Sequence, residues 1–122
     1  MNDVLTPQRI ENRLRTLDMS LEDATAELIE AEAEIAKTTA DLEIAFARRR
    51  MKERTRALEA GSKITVGEIE DLALIGCSDQ FMSKTLADAR VKAARAKVKQ
   101  IVTQIEIARS LGSSVRASMD IS

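Results

Sequence analysis

Six cations, Arg48, Arg49, Arg50, Lys52, Arg54 and Arg56, stand within one short stretch in which Glu53 is the single acid. Guanidinium and ammonium groups at that density bind phosphates or carboxylates. On a helix they spread around much of the circumference, as a segment gripping nucleic-acid phosphates or an acidic protein surface would. The plainer reading is a solvated helix end, because cations are also favoured near the negative end of the helix dipole. No recognisable DNA-binding motif accompanies the cluster, so it does not imply reading of base sequence.

Other chemistry has little to work with. The chain has no histidine, a single cysteine and no glycine-rich loop that could cradle a phosphate. Glu27, Glu30 and Glu34 share a helix face but lack the Glu-x-x-His partners of metal sites in helical bundles, and read as a solvated or salt-bridged face. Cys77 stands next to a helix start, a setting that activates some thiols; a partly buried loop cysteine is the commoner case. No catalytic residue, metal ligand or cofactor site is expected, and the chain reads as non-enzymatic.

Composition narrows the class further. In 122 residues, 19 basic and 20 acidic side chains leave a formal charge of −1, which argues against a surface that is a nucleic-acid-binding field throughout. One cysteine excludes an intramolecular disulfide framework and fits a reducing compartment. No apolar run approaches the roughly 20 residues needed to span a bilayer, and the polar N-terminus lacks a signal-peptide core. The expectation is a cytoplasmic protein with no membrane association. Although 44% of the residues are hydrophobic, alanine supplies much of that fraction and the aromatics are Phe46 and Phe81 alone. Burial per residue is therefore modest, and a second chain would help complete the core.

The elements that must carry the cations are two long helices. Leu14, Leu17, Leu21, Ala24, Leu28, Ala31, Ile35, Thr38, Leu42 and Ala45 step by three and four residues. So do Ala87, Val91, Ala94, Val98, Ile101, Ile105, Ala108, Gly112 and Val115. Thr6 followed by Pro7 is a helix start, and no Gly or Pro follows until Gly61. Ser20 with Asp23 could recap a new helix, but the seam runs through in phase, so one helix over about 7–59 is preferred. Three of the four glycines then fall in a turn over about 61–77, where Thr65 and Glu68 cap a short helix ending at Gly76. Its Ile69, Leu72 and Ile75 are expected to cover the hairpin tip. The second long helix spans about 79–117 and should fray around Gly112 to Ser118.

The resulting fold class is all-α: a single domain, built as a long antiparallel two-helix coiled-coil hairpin with a short helix in the connecting turn. In the register expected here Ala45 faces Ala87, Thr38 faces Ala94 and Ala24 faces Ala108, small residue against small. The mainly acidic segment 18–43 then opposes the cations of 90–99. Arg90 and Lys92 come to Glu43 and Asp41, and Lys99 comes towards Glu32 and Glu34. Ile10, Ile29, Ile44, Phe46, Leu86, Val102, Ile107 and Leu111 flank the seams and widen each apolar stripe beyond a two-helix contact. These eight are a candidate protein interface, filled either by a second copy in a four-helix dimer or by a different partner chain.

The acidic, alanine-rich first helix running into Asp41-Leu-Glu-Ile-Ala-Phe-Ala-Arg48, with the closing Ala108-Arg-Ser-Leu-Gly-Ser-Ser-Val-Arg-Ala117, resembles small helical-hairpin proteins of actinobacterial tailed phages and prophages. The likeness covers most of residues 21–117; the triple arginine and the longer, isoleucine-rich turn depart from it. The resemblance implies a phage or prophage origin, with genes often placed among replication and recombination functions, and no established activity. Two functions follow as expectations: a non-enzymatic interaction protein acting through self-association and a protein partner, or an accessory nucleic-acid-binding protein using Arg48 to Arg56.

Overall fold

The computed structural model describes residues 5–121. They form three helices, α1 (Pro7–Glu59), α2 (Val66–Gly76) and α3 (Ser78–Ile121), arranged as a helical hairpin. The Thr6 hydroxyl accepts from Arg9 N at 3.2 Å, capping α1 as its sequence requires. The helix passes Ser20 without a break. It ends where Gly61 adopts φ +66°, a left-handed conformation costly for any residue with a β-carbon. There Ser62 N donates to Ala57 O at 3.0 Å and Gly61 N to Leu58 O at 3.2 Å, the paired bonds of a Schellman stop. Thr65 caps α2 by accepting from Glu68 N at 3.1 Å.

Contacts divide the chain into two compact units. One joins α1 up to Glu30 with α3 from Lys92. Its core is Leu17, Ala24, Ile101, Ile105 and Ala108, with Leu14, Leu21 and Val98 packed against it. All are seam residues. Glu27 takes an ion pair from Lys97 at 3.2 Å, whereas the expected register would bring it to Ile105. The register is thus displaced by between two and three helical turns.

Two further expectations fail at the end of this unit. The helix does not fray at Gly112 but continues to Ile121. Ile10, read as a flanking interface residue, is 5% exposed. The two corrections share a cause. A β-carbon at Gly112 would lie 3.3 Å from Ile10 Cγ2, so the glycine is a site of close approach that lets Ile10 enter the core. That burial outweighs the roughly 1 kcal/mol helix penalty of glycine.

The other unit is Ala31–Val91. Its buried side chains include Ala31, Thr38, Ile69, Ala73, Cys77, Ala87 and Val91. Thr38 is tolerated in the seam because its hydroxyl donates within its own helix, to Glu34 O at 2.9 Å. α2 and α3 are separated by Cys77 alone. Its N–H donates to Leu74 O at 3.1 Å, closing α2, while its carbonyl accepts from Phe81 N at 2.9 Å, opening α3. The start of α3 at Ser78 agrees with the expected start at about 79. Asp41 and Glu43 are exposed and carry no ion pair among the described residues, so the expected Arg90–Glu43 and Lys92–Asp41 matches do not form. Arg90 and Lys92 are engaged in other interactions.

Candidate functional site

The six cations of α1 divide into two groups with different surroundings. Glu53 is one of the most buried side chains of its unit, 5% exposed, and sits where the seam continues one turn past Arg49. Its Oε1 accepts from Arg49 Nε at 3.1 Å and from Arg56 Nη1 at 3.5 Å. A carboxylate so withdrawn from water needs such donors, because an unpaired buried charge is expensive. Arg49 also lies across Gly76, at the C-terminal end of α2, where the dipole favours a cation that α2 itself does not supply in its last turn. Arg50 stacks on Phe46, its Cζ 4.9 Å from the ring centroid. Phe46, expected at the interface, is consequently half-buried.

Arg48, Lys52 and Arg54 are exposed and make no ion pair or hydrogen bond among the described residues. The helix dipole does not account for them. Its effect is confined to the last turn, and Arg56 is the basic residue found there. Arg48 and Lys52 stand four residues apart on one side of α1, where like charges cost an isolated helix about 0.2 to 0.5 kcal/mol. Half of the cluster therefore serves the fold, and half is available to a polyanion or acidic surface.

Of the flanking apolar residues, Ile29, Ile44, Leu86, Val102, Ile107 and Leu111 are exposed, as an interface requires. The structure adds a second apolar surface beside the Cys77 junction. Leu74, Ile75, Phe81 and Met82, all exposed, line a cleft of about 400 Å³ with Ser78 and Thr85. The short helix only partly covers the tip: Ile69 and Ala73 are buried, whereas Leu72 and Ile75 face solvent, contrary to expectation. The signal was present in α2 itself. Val66, Ile69, Leu72, Leu74 and Ile75 encircle a single short helix, and one packing face cannot bury them all.

No family model, curated protein or solved structure matches the chain. Glu27 is committed to Lys97, and Cys77 is 2% exposed. Among the described residues, no group of three or more His, Cys, Asp or Glu side chains is placed to hold a metal ion, and no helix is long and apolar enough to cross a membrane. What the arrangement offers is surface: apolar side chains in water and cations without partners.

Proposed function

We propose that this chain is a non-enzymatic interaction protein: an antiparallel coiled-coil hairpin that dimerises into a four-helix assembly and presents a surface to a protein partner. The observation that carries this reading is apolar surface left in water. Ile29, Ile44, Met51, Leu58, Phe81, Leu86 and Ile107 are each at least half exposed, and among the described residues no large side chain is fully buried. A core this thin is completed by association. The cleft of Leu74, Ile75, Phe81 and Met82 is the surface assigned to the partner. The resemblance to actinobacterial phage hairpin proteins supports a phage or prophage origin and a place of action in the host cytoplasm.

Sedimentation equilibrium of the full chain at micromolar concentration tests the first half of this reading. A dimer is expected, and a strict monomer refutes it. Affinity capture from the native host tests the second half: a partner retained by the wild type and lost by Phe81→Glu is expected, and equal capture by both removes the cleft from the interface.

One observation favours a second reading, an accessory nucleic-acid-binding protein in phage recombination or replication: Arg48, Lys52 and Arg54 are exposed, unpaired and beyond the reach of the helix dipole. Salt-dependent retardation of single- or double-stranded DNA, lost in the triple variant Arg48→Glu, Lys52→Glu, Arg54→Glu, would support it. Absence of binding at low salt removes it.

A further inference from the structure

A second seam runs along the outside of α1. Ala33, Ala36, Ala40, Ile44, Ala47, Met51 and Leu58 step by three and four residues, with one heptad step from Met51 to Leu58. At 3.6 residues per turn they fall half a turn away from the core positions Ala31, Thr38 and Glu53. Among the described residues little covers them: Ile44 is 53%, Met51 67% and Leu58 75% exposed, Ala33, Ala36 and Ala40 are exposed as well, and Ala47 is half-buried. The mixture of bulky and small residues is the one with which the inner face of the same helix makes its core. A monomer gains nothing from repeating it in water.

The charges beside this seam identify what covers it. Asp41 and Glu43 border its upstream half and Arg48 and Arg50 its downstream half; Asp41, Glu43 and Arg48 have no ionic partner among the described residues. Asp41 and Arg48 lie on one side of the stripe, and Glu43 and Arg50 on the other. When two copies of a helix pack antiparallel about a two-fold axis, each side meets the same side of its partner, with ascending positions against descending ones. One register brings Arg48 to the partner's Asp41 and Arg50 to the partner's Glu43, each twice. That register also seats Ile44 against the partner's Ala47 and Met51 against the partner's Ala40. A parallel pairing would bring Asp41 near the partner's Glu43 and Arg48 near the partner's Arg50, like charge against like.

We infer that the outer face of α1 from Ala33 to Leu58 is a homodimer interface, in which α1 of a second copy packs antiparallel with bulky residues against small ones and the Arg48–Asp41 and Arg50–Glu43 pairs across it. The inference rests on the self-association proposed above and names its surface. The stack of Arg50 on Phe46 holds that guanidinium on the side where the partner's Glu43 arrives.

Sedimentation equilibrium of full-length variants decides the matter, with circular dichroism confirming unchanged helix content, since every altered side chain is exposed. Arg48→Glu is expected to weaken the dimer about tenfold. Adding Asp41→Arg to the same chain should return affinity to the wild-type level, because each copy supplies both members of the pair. Ala40→Glu, which sets a carboxylate against Met51, should leave a monomer. If the wild type dimerises and both Arg48→Glu and Ala40→Glu associate as tightly as it does, this surface is wrong while self-association stands. If the double reversal stays as weak as Arg48→Glu alone, the antiparallel pairing is overturned. A monomeric wild type removes both proposals.

Discussion

Arg49 lies across Gly76 so closely that a β-carbon there would sit 2.5 Å from its Nε and 2.9 Å from its Cδ. The glycine thus provides the space in which the arginine reaches Glu53, and one contact links α1, the end of α2 and the most buried carboxylate of the hairpin. Gly76→Ala should push Arg49 off Glu53. The charge-assisted hydrogen bond is worth about 1.5 to 3 kcal/mol, and alanine returns about 1 kcal/mol of helix propensity. A net destabilisation of about 1 kcal/mol by urea denaturation is expected. In an Arg49→Ala background the same change should become neutral or stabilising; an unchanged penalty there would place the cost elsewhere.

Glu53→Ala removes the acceptor shared by Arg49 and Arg56. Arg56 is well exposed and can turn to water, but Arg49 is two-thirds covered. A loss of about 1 to 3 kcal/mol is expected, read as a lower denaturation midpoint with unchanged slope.

The hairpin's entry turn makes a separate prediction. Gly61 holds φ +66° with no atom within 4 Å of where a β-carbon would stand, so any penalty at this position is conformational. Gly61→Val should cost about 1 to 2 kcal/mol, whereas Gly61→Asn, which tolerates the left-handed region, should cost distinctly less. Equal costs for the two would show that the backbone does not keep this conformation.

Gly112 makes the opposite case. There the backbone is helical and the space is occupied, by Ile10. Gly112→Leu should expel Ile10 from the core and destabilise by about 1 to 3 kcal/mol, despite its better helix propensity. A thermal melt showing stabilisation would mean that Ile10 contributes little.

Thr38 predicts an absence of effect. Its hydroxyl bonds Glu34 O and Ile35 O, carbonyls on its own helix, so replacing it by valine orphans no buried partner. Thr38→Val should leave stability within about 1 kcal/mol of wild type or raise it.

Much of this architecture was readable from spacing. Each seam residue from Leu14 to Ala45 and from Ala87 to Val115 is withdrawn from full exposure, and Thr6, Gly61 and Thr65 act as the caps their types suggest. The register was not readable, because a heptad pattern slid by one or two repeats presents the same face. What distinguishes the registers is specific pairs such as Glu27 with Lys97, and a mostly acidic segment offers many nearly equal choices. The division of the cation cluster is written in the spacing: Phe46–Arg50 and Arg49–Glu53 are four residues apart, the separation at which helical side chains meet. The outward side of α2 had a signal too, in a short helix with more apolar residues than one face can hide.

Cys77 is the single thiol of the chain, 2% exposed, and the single residue between α2 and α3. It is thereby a built-in clock for that junction. A thiol reagent modifies it only during the moments when the two helices part, so at saturating reagent the labelling rate equals the opening rate. At low reagent, that rate relative to a free thiol gives the opening equilibrium without unfolding the rest of the molecule. A partner that grips the neighbouring Phe81 and Met82 should slow the clock, and its binding can be timed from inside the protein with no label added.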